Sequence, residues 1–390
     1  MHILDTTTYE LQSGRQSTFR QEGYAVLSHR WVGQEITYDQ LKDEIEGLRS
    51  DTAPARTPQL KKIFRAAETA RNLGIKWIWI DSCCINYANA IEQTKSIKSM
   101  LKWYSDAKLC ITYLNDVQKH EPYGDALGPK CLDSLERDGP SIWFSRGWTL
   151  QELLSPQDIR FYDKDWNFIG TKMTLARVLE EITGIDKCYL TREKHLATAC
   201  ITTKMSWMAG RTTTRIEDIA YSMLGILNIN MTTQYGEGLR AFNRLQQALL
   251  STSGDESLFS WNMPDRNTRR SKFIYGVDQY ITWEADEWSL LAPSPDWFKD
   301  SGNMTAERPP HIGRRLKASE MTQDGIFRPS SPAFLGAIRW EVPMLVRVYL
   351  RSVSMRYRRI CCFELGRGDR GGASKSPDGL KEFCYTPVCS

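Results

Sequence analysis

This chain has little that would tie it to a membrane, a metal or a nucleic acid. None of its apolar runs approaches the roughly eighteen residues that a membrane-crossing helix needs. Its start, Met1-His2-Ile3-Leu4-Asp5-Thr6, has neither the basic opening nor the apolar stretch of a signal peptide. Five histidines are scattered along 390 residues and no Cys-x-x-Cys occurs, so no metal site is expected. No G-x-x-x-x-G-K-[ST] phosphate loop is present. A net charge of +4 is too small to point to a nucleic-acid partner.

Ten cysteines could mean disulfides, but their placement does not. Cys83-Cys84 and Cys361-Cys362 are adjacent pairs, and Cys110 sits inside an apolar strand pattern. Buried thiols of a reducing, cytoplasmic protein account for them more simply. The 13 tryptophans and ordinary apolar content argue for a folded chain, long enough for two or three domains.

Strand and helix patterns alternate in the first part of the chain. Tyr24–His29, Lys76–Asp81, Leu109–Leu114 and Ile159–Tyr162 read as strands. Between the first two, Thr37 with Gln40 forms a capping box, and a second helix runs from about Gln59 to a stop at Gly74. Ile97, Met100, Leu101 and Tyr104 mark another helix. The alternation predicts an α/β domain over 1–175, with a parallel sheet and right-handed crossovers.

Helices are expected next, over 176–264, among them Thr214–Leu227 and Glu237–Leu250. Gly236-Glu237-Gly238 is too short to cradle a phosphate, and Arg215, Glu217 and Asp218 fit charge pairing at a helix start. Beyond Asp265–Arg270 the alternating runs Val346–Arg351 and Arg359–Phe363 suggest a small β-rich module over 265–390.

In open parallel sheets, ligands bind beyond the C-terminal strand ends. That places Ser28, His29, Arg30 and Trp31, then Asp81 to Cys84, then Asn115 and Asp116, along one edge. Ser145–Leu154 adds a short helix there. Leu150, Leu153 and Leu154 make its apolar stripe, while Trp148 and Glu152, four apart, share the other face. A carboxylate beside an indole suits a sugar-binding or acid/base position. A solvated Glu on an amphipathic helix is the plainer alternative. Likewise Asp81 could serve only as an N-cap, and a nucleophilic pairing of Cys83 or Cys84 with His29 lacks an orienting third group.

Leu27-Ser28-His29-Arg30-Trp31, Trp79–Asn86, Trp103–Val117 and Arg146–Leu154, in that order, resemble the fungal heterokaryon-incompatibility (HET) domain. Met205-Ser206-Trp207, Arg211–Tyr221 and Tyr235–Gln246 are similar to the helical segment that usually follows it. Together they cover roughly the first two-thirds of the chain. Arg30 and Val32 stand where the family usually has Thr and Gly.

The resemblance implies non-self recognition leading to regulated cell death. HET domains are thought to be distant relatives of TIR domains, which implies a TIR/flavodoxin-like α/β fold. Trp148–Leu153 resembles the TIR motif Trp-Cys-Leu-x-Glu-Leu, whose Glu is catalytic in NAD-cleaving members. By that likeness Glu152 is the catalytic candidate, with Ser28, His29, Arg30, Trp31, Asp81 and Trp148 as binding residues. No cofactor is implied, and NAD would be the substrate. A non-enzymatic module that works by self-association is the alternative. Expected partners are further copies of this chain or other incompatibility proteins.

Overall fold

The computed structural model describes residues 1–49, 57–119, 129–253, 255–261, 270–271, 281–282, 291–302, 304–305, 339–340, 345–353, 356–365 and 381–383. The chain divides into two compact units, Met1–Glu193 and Lys194–Ser390.

The first unit opens with strands β1 (His2–Asp5) and β2 (Leu11–Ser13), then helix α1 (Gln16–Glu22) and β3 (Tyr24–His29). Helices α2 (Tyr38–Arg49) and α3 (Pro58–Asn72) lead to β4 (Trp77–Ile80). Next come α4 (Asp81–Cys84), α5 (Ala90–Asp106), β5 (Leu109–Tyr113) and α6 (Thr149–Leu154). Strands β6 (Ile159–Tyr162) and β7 (Phe168–Thr171) and helices α7 (Ala176–Thr183) and α8 (Lys187–Leu190) complete the unit.

Its seven strands form one sheet in the order β2-β1-β4-β3-β5-β6-β7. The centre is parallel, as expected from strands that are apolar on both faces. The margins are antiparallel, which makes this α/β sheet mixed. Those margins come from short strands at His2–Asp5 and Phe168–Thr171 that carry little pattern of their own. Counted along the chain, the parallel strands lie in the order 2-1-3-4, the flavodoxin-like arrangement. The winding therefore reverses between β3 and β5.

Helices cover the two faces of the sheet. Tyr24 donates its hydroxyl proton to the Trp103 carbonyl at 2.6 Å, and Trp79 packs edge-on against Trp103 and Tyr104. These contacts seat α5 on the face that carries Tyr24, Val26 and Ser28. Side chains alternate along a strand, so His29 points to the other face, toward Lys62 of α3. The capping box is present: the Thr37 N–H donates to Gln40 Oε1 at 3.0 Å, and the Gln40 N–H to Thr37 Oγ1 at 3.4 Å. Gly74 follows α3 with φ of +72°, a left-handed conformation that suits glycine. On α5 the buried stripe is Ser96, Met100, Trp103 and Tyr104, one step round from the stripe that Ile97 and Leu101 suggest.

The second unit carries α9 (Ile201–Ser206), α10 (Asp218–Tyr221) and α11 (Arg240–Thr252). The expected Glu237–Leu250 helix is α11, with Phe242, Leu245 and Leu249 buried. The expected Thr214–Leu227 helix is not continuous: only α10 forms, followed by turns in which Met223 and Leu224 donate to carbonyls three residues back. Side-chain bonds explain this. The Glu217 carboxylate accepts the N–H groups of Gly236 and Gly238 at 2.8 and 2.9 Å. Tyr235 donates to Asp218 at 2.9 Å, and Tyr221 to Glu237 at 2.7 Å. The Tyr-Gly-Glu-Gly loop is thus bound to α10, and both glycines adopt the positive φ that loop needs (+97° and +59°).

Short strands β8 (Arg270–Ser271), β9 (Ile281–Thr282), β10 (Met304–Thr305) and β11 (Arg339–Trp340) precede a longer hairpin. That hairpin pairs β12 (Leu345–Val353) with β13 (Arg356–Leu365), and β14 (Lys381–Phe383) adds to β12. The alternating runs at Val346 and Arg359 lie on these two strands.

Candidate functional site

At the C-terminal end of β3, Ser28 is a hydrogen-bond hub. Its hydroxyl donates to Glu152 Oε2 at 2.5 Å and accepts the Trp143 indole N–H at 2.9 Å. Glu152 is 5% exposed, and all six residues of α6 are buried. The face of α6 opposite the leucines therefore meets the end of β3 and not water, which overturns the picture of a solvated Glu. Trp148 is half-buried at the N-cap of α6. Through Ser28, the indole that joins the Glu152 cluster belongs to Trp143.

The segment around α6 is tightly held. Asp116, just past β5, accepts from Ser134 Oγ, Ser141 Oγ and the Ile142 N–H at 3.0, 2.5 and 2.7 Å. These bonds fix the turn Ile142–Ser145 that presents Trp143. Thr149 Oγ1 donates to the Trp143 carbonyl at 2.7 Å, tying the start of α6 to that turn. At the other end Lys172 Nζ donates to the carbonyls of Leu153 and Pro156, and Arg192 to that of Ser155. Two cations thus bond carbonyls at and just past the helix C-terminus. Burial lowers the Lys172 ammonium to about 8, and Arg192 pushes in the same direction.

A second cluster sits on the other face of β3. His29 Nδ1 lies 3.8 Å from Asp81 Oδ1, and Nε2 lies 3.9 Å from Glu35 Oε2. Lys62 Nζ donates to both Glu35 oxygens at 2.6 and 2.7 Å. Trp31 Nε1 donates to Asp81 Oδ2 at 2.8 Å. Among the described residues, neither His29 nitrogen has a hydrogen-bond partner, and nor does Asp81 Oδ1. Burial, and then the Lys62 charge, hold His29 well below its ordinary value, so it is neutral. Burial raises the Asp81 carboxyl to about 7, although Trp31 and Lys62 pull the other way.

The predicted residues therefore reach one sheet edge in two groups. Ser28 and Glu152 meet on the α5 face, and His29, Trp31 and Asp81 on the α3 face. Both carboxylates lie within electrostatic reach of Tyr104, whose phenol is raised first by burial and then by Glu152 and Asp81. Arg30 is buried and bonds Asn115 and Glu136, which makes it a brace between loops. The Cys84 contact and burial push the Cys83 thiol well above its usual value, which disfavours it as a nucleophile.

Sequence reading missed Trp143, Glu35 and Lys62. Trp143 lies in a single turn, Ile142–Ser145, too short to carry a pattern, and Glu35 and Lys62 are residue types that normally face water. The only available signal was that Lys62 stands between Leu60 and Ile63 on the apolar side of α3. A cavity of about 410 Å³, lined by Gln16, Arg20, Lys102 and Asp106 among others, lies at the opposite end of the sheet. Among the described residues, no His, Cys, Asp and Glu cluster could hold a metal ion, and no helix is long and apolar enough to cross a membrane.

Residues 24–136 match the family described as heterokaryon incompatibility protein (HET). Residues 240–333 match a domain of unknown function (DUF8212). Vegetative incompatibility protein HET-E-1 of Podospora anserina is 36% identical over 236 residues, 59% of this chain and 16% of that protein. The chain thus spans under a fifth of that relative's length. No solved structure matches.

Proposed function

We propose that this chain, whose residues 24–136 match the heterokaryon-incompatibility family, acts in vegetative incompatibility and sets off regulated cell death by hydrolysing NAD. The observation that carries this reading is the Ser28–Glu152 pair at the point where a flavodoxin-like sheet reverses its winding. Ligands of such sheets bind there. The bond to break joins C1′ of ribose to the nicotinamide nitrogen. Its electron pair leaves with the ring, which becomes neutral nicotinamide, so no general acid is needed. Water adds to C1′ and gives up a proton. Positive charge grows on the ribose in between, as in glycoside hydrolysis. Glu152, bonded to the ribose hydroxyls, gains strength as that charge develops. The test is purified protein incubated with NAD and followed by chromatography for nicotinamide. Release by wild type and loss in Glu152→Gln supports the reading, and no release from wild type overturns it.

The burial of Glu152 favours one second reading. A carboxylate already engaged by Ser28 needs no substrate, and the fold would then serve as a scaffold that signals by self-association. Sedimentation of the wild type over a concentration series separates the two. Partners under either reading are further copies of this chain or other incompatibility proteins.

A further inference from the structure

Trp31 is 44% exposed and Tyr87 36% exposed, although both are large aromatic residues. Their rings touch at right angles, with centroids 5.7 Å apart. The Trp31 N–H is spent on Asp81, so the indole is held in one orientation and offers a π-face in place of a donor. Tyr87 comes from the turn between α4 and α5, and Trp31 from the loop after β3. Two perpendicular rings make a corner in which a third ring can stack on one and meet the edge of the other.

The charge around this corner selects its occupant. Aromatic faces attract cations, and Asp81 adds a carboxylate at the base of the indole. Among the described residues, Asp81 Oδ1 and both nitrogens of the buried His29 are without hydrogen-bond partners. Buried polar atoms are usually satisfied, and a run of such atoms behind an exposed aromatic corner is what a ligand site leaves open. Lys62 does not cancel Asp81, because Glu35 holds its ammonium in two hydrogen bonds.

We propose that Trp31 and Tyr87 form a subsite for a planar, positively charged heteroaromatic ring, with the Asp81 carboxylate as its counter-charge. The pyridinium of NAD is such a ring, and assigning the subsite to nicotinamide rests on the reaction proposed above. The ribose would then lie across the end of β3, toward Glu152. Asp81 is raised to about 7 and faces His29 on β3, Glu35 before α2 and Lys62 on α3. A bound cation favours its ionised form, so the ring binds more tightly as pH rises through about 7.

Titration calorimetry of the full chain with the N1-methylnicotinamide cation, and with neutral nicotinamide, tests this. At pH 8 the cation should bind more tightly than the neutral ring. Tyr87→Ala should weaken the cation about 3- to 30-fold, as for a lost cation–π contact, and Tyr87→Phe should retain it. Asp81→Asn should reduce the preference for the cation to what the two aromatic rings supply. Wild type that binds neither ring at millimolar concentration, or Tyr87→Ala that binds like wild type, overturns the subsite. Glu152→Gln should still bind the cation. If it does, and wild type releases no nicotinamide from NAD, the reaction fails and the ring subsite stands. If wild type cleaves NAD but Tyr87→Ala leaves binding unchanged, the reaction stands and the subsite fails.

Discussion

Ser28 and Glu152, 124 residues apart in the chain, share a hydrogen bond of 2.5 Å, and the same serine accepts the Trp143 indole N–H. One hydroxyl thereby joins the end of β3, the helix α6 and the turn before it. Replacing Ser28 by Ala leaves two buried polar groups short of a partner. That should cost about 1–3 kcal/mol each at most, read as a lower midpoint in urea unfolding.

Glu152→Gln keeps the size of the side chain but removes its charge. NAD cleavage should fall roughly 10²- to 10³-fold, the typical loss for one electrostatic contact to the transition state. Because Glu152 is buried and bonded, the variant should also lose about 1–2 kcal/mol of stability, where a surface Glu would lose almost nothing. Cell toxicity has therefore to be compared at matched protein abundance. Unchanged cleavage would remove Glu152 from the reaction.

Lys62→Met should be among the more damaging single changes in the first unit. It strands the buried Glu35 carboxylate, and breaking one side of a buried pair typically costs about 3–5 kcal/mol. The double variant with Glu35→Leu should recover much of that. A double-mutant cycle in urea measures the difference, and strictly additive losses would show that the pair does not interact.

Asp81 sets a pH dependence of definite sign. Its folded value is about 7 against an ordinary value of 3.8, so the folded protein holds the proton longer than the unfolded chain. Its contribution to stability is full below about 3.8 and is lost as pH rises toward 7. Asp81→Asn has no such proton to lose. The stability of this variant relative to wild type should therefore rise between pH 4 and 7 and then level off. His29, held low by burial, contributes a slope of the opposite sign. A difference that is flat with pH would refute the shift.

Glu217 should behave in the reverse sense. Burial raises it, but the N–H groups of Gly238 and Gly236, together with its own and Arg215, outweigh burial and hold it below 4.5. Its stabilising effect is present above the ordinary value and lost as pH falls through the folded one. Glu217→Gln should be the less stable protein at pH 7, and the gap should close in acid. The thermal midpoints of both at pH 7 and pH 3.5 check this.

Much of the fold was legible because its signals are local. β3 and β6 have the bounds that their apolar runs suggest, and the Thr37–Gln40 box starts α2. The break after α10 was not legible, because Glu217 and Tyr221 are engaged by a loop some fifteen residues later. Of the site, the sheet edge could be named from strand ends alone. Its division into two clusters follows from Ser28 and His29 being adjacent in a strand, which sends their side chains to opposite faces. The burial of Glu152 could not be read from helix spacing, since α6 is covered on its second side by residues from β3 and from the Trp143 turn.

The clamps on α6 bear on how its carboxylate could ever be reached. Thr149 ties the helix at its start, and Lys172 and Arg192 tie it at its end. On the NAD reading, with the helix tied at both ends, an incoming ribose hydroxyl would compete with that of Ser28 for Oε2 of the carboxylate. Admission and activation then become one competition between two alcohols for the same oxygen, and the strength of the resident bond becomes a threshold that any guest must exceed.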